Sequence, residues 1–185
     1  TLLGMKQSGY ISAVGFSLYC RLLADAVDEQ KAKQAGIPKE KVKPSRLPAP
    51  TIDLPLPAYI PEEYVSDLNT RLNLYQSLVK LEKVEQVDDV THEFSDRFGS
   101  LPPEVKNLLY AVKLKALAAK AGIESISTEH GQIILRLFQG MQFNKQKLEP
   151  VRDGIKLGLS QLRINPKRLG DGWQRVLESL VSRMV

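Results

Sequence analysis

The sequence predicts an α+β domain in which helices come first, then a small antiparallel sheet, then a C-terminal helix. Three observations predict it. Segments opening at Pro61, Val87 and Pro102 carry apolar side chains at steps of three and four. Residues 123–128 and 132–138 alternate instead, around a turn at His130-Gly131. A helical period then returns from Trp173 to Met184. Helices grouped before strands, rather than alternating with them, favour the α+β arrangement.

Residues 1–9 have no start methionine and no capping pattern, and read as the continuation of a longer protein. A helix is expected over 14–34, with Val14, Leu18 and Leu22 on one face and Phe16, Leu23 and Val27 nearby. Two apolar faces on one short helix suit an element packed between others. Residues 31–50 read as a linker: Lys31, Lys33, Lys39, Lys41, Lys43 and Arg46 face one acid, Glu40, and Pro38, Pro44, Pro48 and Pro50 interrupt any helix. It is a solvated tether, or a strip that touches DNA phosphates.

The compact domain is expected over 51–185. Residues 51–54 alternate as a short strand, which Pro55 and Pro57 confine to a sheet edge. Pro61, followed by Glu62 and Glu63, suits the first turn of a helix reaching residue 82. Its inward stripe is Val65, Leu68, Leu72, Tyr75 and Val79, flanked by Asp67, Asn69 and Arg71, which are expected to tie helices together. Val87, Val90, Phe94 and Phe98 define a second helix with Gly99 as its left-handed stop. Pro102 and Pro103 open a third, with Val105, Leu108, Leu109, Val112 and Ala116 inward and Gly122 at its end. In the second predicted strand Ile133, Leu135 and Leu137 share a face, and one further strand is expected within 155–165, where Leu162 and Ile164 flank Arg163. Asp171 is a suitable N-cap for the last helix, whose apolar face is Trp173, Val176, Leu177, Leu180, Val181 and Met184. Trp173 reads as core.

The chain has 185 residues, 43% of them apolar and 25% charged, enough for one well-cored domain. Cys20 is the single cysteine, so no internal disulfide can form. No apolar run approaches a membrane span and no leader segment opens the chain, so a cytoplasmic protein without membrane contact is expected. The net charge of +5 is unevenly spread. Residues 1–50 carry eight Lys/Arg and four Asp/Glu, residues 51–130 eight and thirteen, and residues 131–185 ten and four.

Catalytic patterns are missing from the sequence. The two histidines, His92 and His130, fall on different elements, and neither HExxH nor CxxC spacing occurs. There is no G-x-S-x-G elbow and no phosphate-binding G-x-x-x-x-G-K. Neither catalysis nor a cofactor is expected of this chain. The basic C-terminal third, with Lys145, Lys147, Arg152, Lys156, Arg163, Lys167 and Arg168, could contact nucleic acid together with the basic linker. It lacks the interleaved aromatics of a stacking platform, and dispersed surface cations are the simpler reading. Glu93, Asp96 and Arg97 stand at i, i+3 and i+4 on one helix face, where Glu93 and Arg97 can pair with each other and do nothing more.

Two stretches resemble a known family. Leu3-Gly4-Met5-Lys6-Gln7-Ser8-Gly9-Tyr10-Ile11, then residues 14–19 and Leu22-Leu23, resemble the helical tail of the translocase motor in bacterial transcription–repair coupling factors, relatives of the RecG translocases. Gln7 matches a glutamine of the motif that couples ATP-driven movement to DNA translocation. The motif's arginine and the ATP-binding motifs have no counterpart here, so ATP and magnesium belong to the parent protein. The second stretch runs from Ile60-Pro61 through residues 67–75 to Glu93–Gly99 and Leu101-Pro102-Pro103-Glu104, and is similar to the family's own C-terminal domain. The resemblance implies motor tail over 1–30, linker over 31–50 and regulatory domain over 51–185. It implies a parent that displaces stalled RNA polymerase from double-stranded DNA and recruits UvrA. The C-terminal domain would hold it closed by masking the N-terminal module that UvrA binds, through Glu93, Asp96 and Arg97.

Overall fold

The computed structural model describes residues 48–185. The helix expected over 14–34, the Gln7 loop and all but the last three residues of the expected linker lie outside the described residues. Pro50, assigned to that linker, is buried.

The described chain runs β1 (Thr51–Ile52), α1 (Leu68–Val79), α2 (Val84–Phe98), α3 (Pro103–Ala121), β2 (Ile123–Glu129), β3 (Gln132–Leu137) and α4 (Lys145–Leu148). It continues with β4 (Ile155–Leu157), β5 (Gln161–Ile164), α5 (Pro166–Leu169), a 3-10 turn (Gly170–Gly172) and α6 (Trp173–Met184). The sheet has the order β1-β2-β3-β5-β4. Its pairs are antiparallel except β1, which lies parallel to β2 at one edge, where its neighbouring prolines cost no ladder bonds. The single strand expected within 155–165 is in fact a hairpin, β4 and β5. A turn at 158–160 divides it, with Gly158 donating from its amide to the Gln161 carbonyl at 2.8 Å.

The helix expected over 61–82 is shorter. Pro61 begins only one turn, its carbonyl accepting from the amides of Tyr64 and Val65 at 3.1 Å each. The carbonyls of Val65 and Ser66 then bond the Arg71 guanidinium, at 2.7 and 3.1 Å, instead of amides one helical turn on. The chain extends at Asp67, whose carboxylate accepts from the Thr70 amide at 2.9 Å and caps α1. The Thr70 hydroxyl, donating to the same carboxylate at 2.6 Å, and the Thr70 amide together hold the Asp67 carboxyl below its ordinary value. The restart turns the inward face to Arg71, Leu74, Tyr75 and Leu78, while Leu68 is exposed. Arg71 therefore joins α1 to the turn before it and Asp67 caps α1, neither reaching another helix, and Asn69 is exposed.

The ends of the next helices follow the sequence more closely. Gly99 closes α2 with φ +89° and ψ −165°, a region that only glycine enters easily, though not the left-handed helical one. Gly122 closes α3 in the left-handed conformation, φ +73°. Asp171 lies inside the 3-10 turn and Gly172 takes the cap position of α6, so the expected Asp171 cap is absent. Trp173 is partly buried against the sheet-side core.

Two apolar cores share α3. One gathers Ile123, Ile126, Ile133, Leu135, Leu162 and Ile164 from the sheet with Leu177, Leu180 and Val181 of α6. The other gathers Ile60, Val65, Leu74, Tyr75, Leu78, Val87 and Phe94. Ala111, Leu114 and Ala118 of α3 belong to the first, and Val105, Leu108, Leu109 and Val112 to the second. The Tyr110 hydroxyl donates to the Gln174 carbonyl at 2.6 Å, and Lys113 pairs with Glu178 at 2.6 Å, pinning α6 to α3. Burial, with Glu178 nearby, pushes the Tyr110 phenol far above its usual value, so it remains a donor.

Arg71 is the buried charged residue of the described core, 9% exposed, and its guanidinium is spent on two carbonyls. Arg71→Met removes charge-assisted bonds and strands those acceptors, so it is expected to cost about 2–3 kcal/mol. Urea unfolding should show a lower midpoint at an unchanged slope.

Candidate functional site

The outward face of α2 is built by what its inward face buries. Val87 and Phe94 are 2% and 1% exposed, and Val90 and Phe98 pack partly beside them. With that stripe committed, the helical period leaves Glu93, Asp96 and Arg97 in solvent. The structure brings together the three residues singled out in sequence; Gln7 lies outside the described residues.

Arg97 Nη1 meets Glu93 Oε1 at 3.1 Å, with the two side chains 47% and 53% exposed. The guanidinium carbon of Arg97 also stands 4.8 Å from the centre of the Phe98 ring. That ring is held edge-on by Phe94, 6.2 Å between centroids, and tilted against Tyr64 at 5.7 Å. The Tyr64 hydroxyl lies 3.0 Å from the Phe94 carbonyl and 2.9 Å from that of Gly99, so it fixes the last turn of α2. Arg97 therefore sits on a rigid aromatic floor. Asp96 has no side-chain hydrogen bond or ion pair among the described residues.

The surroundings are acidic. Helix α2 carries Glu85, Asp88, Asp89, Glu93 and Asp96 against Arg97 as its single Lys or Arg. Beside its C-terminal end lies a cleft of about 290 Å³ lined by Tyr59, Glu63, Tyr64, Ser100 and Glu104. Sequence reasoning missed Tyr64, which it placed within a continuous helix. The only signal was a tyrosine off the apolar stripe.

No group of three or more His, Cys, Asp or Glu among the described residues could hold a metal ion, and His92 and His130 are exposed on separate elements. No helix among the described residues is long and apolar enough to cross a membrane. The chemistry on offer at α2 is recognition: a fixed cation over an aromatic ring, next to a free carboxylate, on a preformed helix.

Fold and face together define an α+β domain with an exposed, charged helix face. The TRCF domain family matches residues 54–148. The transcription-repair-coupling factor of Staphylococcus haemolyticus is 34% identical over 171 residues, 89% of this chain and 14% of that protein. That of Staphylococcus aureus is 39% identical over 133 residues, 72% of this chain and 11% of its own length. This chain thus spans about one-seventh or less of the relatives it matches. A crystal structure of the C-terminal domain of transcription-repair coupling factor superposes with TM-score 0.61 at 21% identity, covering 73% of this chain and 89% of that one, a likeness of fold. The chain belongs to the transcription–repair coupling factor family and carries its TRCF domain.

The Glu93–Arg97 pair is solvated, so as a stabilising contact it is worth little. Glu93→Ala and Arg97→Ala are each expected to change unfolding free energy by less than about 0.5 kcal/mol. Thermal melts that fall as far as those of Arg71→Met would instead make the pair structural.

Proposed function

We propose that this domain is a regulatory protein-binding module without catalysis of its own, acting in a transcription–repair coupling factor of the cytoplasm. Its partner is the N-terminal UvrA-binding module of the same protein, which it masks from UvrA. The parent is an ATP-driven translocase that meets RNA polymerase and double-stranded DNA through its other parts. In this reading the domain holds the resting motor in a closed, autoinhibited state during transcription-coupled DNA repair.

The observation that carries the reading is the α2 face: Asp96 unpaired, and Arg97 preset over Phe98, both exposed on a helix whose other side is locked in the core. Holding these side chains in place before contact reduces the ordering cost of binding. Charged pairs also suit a contact that must be specific yet releasable. A linker of the length expected over 31–50 gives an effective concentration on the order of millimolar. A contact with a dissociation constant of about 10 μM would then be closed about 99% of the time, and a few kcal/mol of competing binding would open it.

The test is titration of this chain with the isolated N-terminal module, with UvrA as competitor. Micromolar binding that UvrA displaces is expected, weakened by about 1–3 kcal/mol in Asp96→Ala and in Arg97→Ala. Absence of binding up to about millimolar concentration rejects the clasp, because tethering at that effective concentration could not hold it shut.

A further inference from the structure

Helices α3 and α6 cover one face of the sheet; among the described residues neither apolar core lies on the other, open face. Ile126, Leu135 and Leu162 are opposite one another on the covered side, against α3 and α6. The register then puts Ser127, Ile134, Arg163 and Lys156 across the open side, on β2, β3, β5 and β4 in turn. Ile134 is 2% exposed there, whereas Arg163 and Lys156 are exposed.

Lys156 and Arg163 are direct cross-strand partners, and neither has a carboxylate partner among the described residues. Like charges directly opposite one another destabilise a sheet. A lysine on β4 would by itself be ordinary protection of an edge strand. That reason does not extend to Arg163, which lies on the interior strand β5 and faces the same way. The neighbouring Arg136 shows the usual arrangement, paired with Glu129 at 3.0 Å and bonded to Ser127.

The cationic row continues around the edge. Lys156 and Arg168 line one cleft of about 320 Å³ with Gln132, Asp153 and Asn165. The only acid there among the described residues, Asp153, is paired with Arg168 at 3.1 Å through side chains that are 88% and 63% exposed, a contact easily exchanged. The Gln132 amide oxygen is buried in the cleft wall without a hydrogen-bond partner.

We propose that Arg163, Lys156 and Arg168 form a phosphodiester-binding strip, contacting the backbone of a nucleic-acid duplex without reading its sequence. Phosphates relieve the repulsion between Lys156 and Arg163, and long flexible cations suit backbone contact. An acidic protein partner is disfavoured because, among the described residues, no exposed aromatic anchor accompanies these cations. The strip shares no residue with α2, so it stands or falls independently of the clasp.

Each neutralised phosphate contributes about −0.9 to the slope of log affinity against log salt, so three give about −2.7. For this chain and a short random duplex, that means affinity about 40-fold weaker at about 200 mM salt than at about 50 mM. Lys156→Gln/Arg163→Gln should weaken binding at least about tenfold at the lower salt and flatten the slope by about two units. Lys106→Gln/Lys120→Gln, the same charge change at exposed sites on α3, should leave affinity within about twofold. Absence of binding at low salt overturns the proposal, as does an equal loss in the α3 variant. So does binding that survives the sheet variant, which would move the contact elsewhere in the chain. Competition by poly-glutamate as strong as by duplex at equal charge would likewise overturn it, in favour of an acidic protein.

Discussion

Everything described here hangs on α3 being buried on two sides at once. A helix of Pro103–Ala121 offers a sheet-facing row of Ala111, Leu114 and Ala118 and an opposite row of Val105, Leu108, Leu109 and Val112. Small alanines on the sheet side admit close approach, and branched residues on the other side fill the space under α1 and α2. Apolar burial of this kind is the main favourable term in folding. Because one helix serves both cores, the position of α2 relative to the sheet is fixed through α3 rather than through a loop.

That constraint makes the α2 face a preset surface. Phe94 and Val87 anchor the helix, Tyr64 clamps its last turn, and Arg97 is left standing on Phe98. The same arrangement separates charge. Acids collect on α2, while the open side of the sheet and its edge carry Arg163, Lys156 and Arg168. A domain polarised this way can present a protein partner and a polyanion with different surfaces, and salt will act on the two contacts to different degrees.

Much of this was legible in the sequence, for physical reasons that differ by element. Helices α2, α3 and α6 each carry an apolar stripe with the right period. Gly99 and Gly122 close the first two, and the His130-Gly131 turn sets β2 against β3. Glu93, Asp96 and Arg97 could be placed on one face because only the helical period was needed. The start of α1 was not legible, since a leucine-rich run after Pro61 looks continuous until Arg71 is seen taking the Val65 and Ser66 carbonyls. Those bonds span only six and five residues, and the Asp67 cap beside them was the local signal of a restart. The β4–β5 hairpin was compressed into one strand because its first member has only three residues. The aromatic floor under Arg97 depends on Tyr64, which reaches across 30 residues of sequence to the Phe94 carbonyl. No spacing rule announces a contact of that range.

The central claim is that α2 presents a preformed docking face whose occupant is another part of the same protein. The most direct measurement is residue-resolved amide chemical-shift mapping of this chain as the N-terminal UvrA-binding module is added. The account predicts shifts concentrated on α2 around Glu93, Asp96 and Arg97, with the α3 and α6 amides unmoved. Shifts confined to the sheet, or spread through both cores, would contradict it.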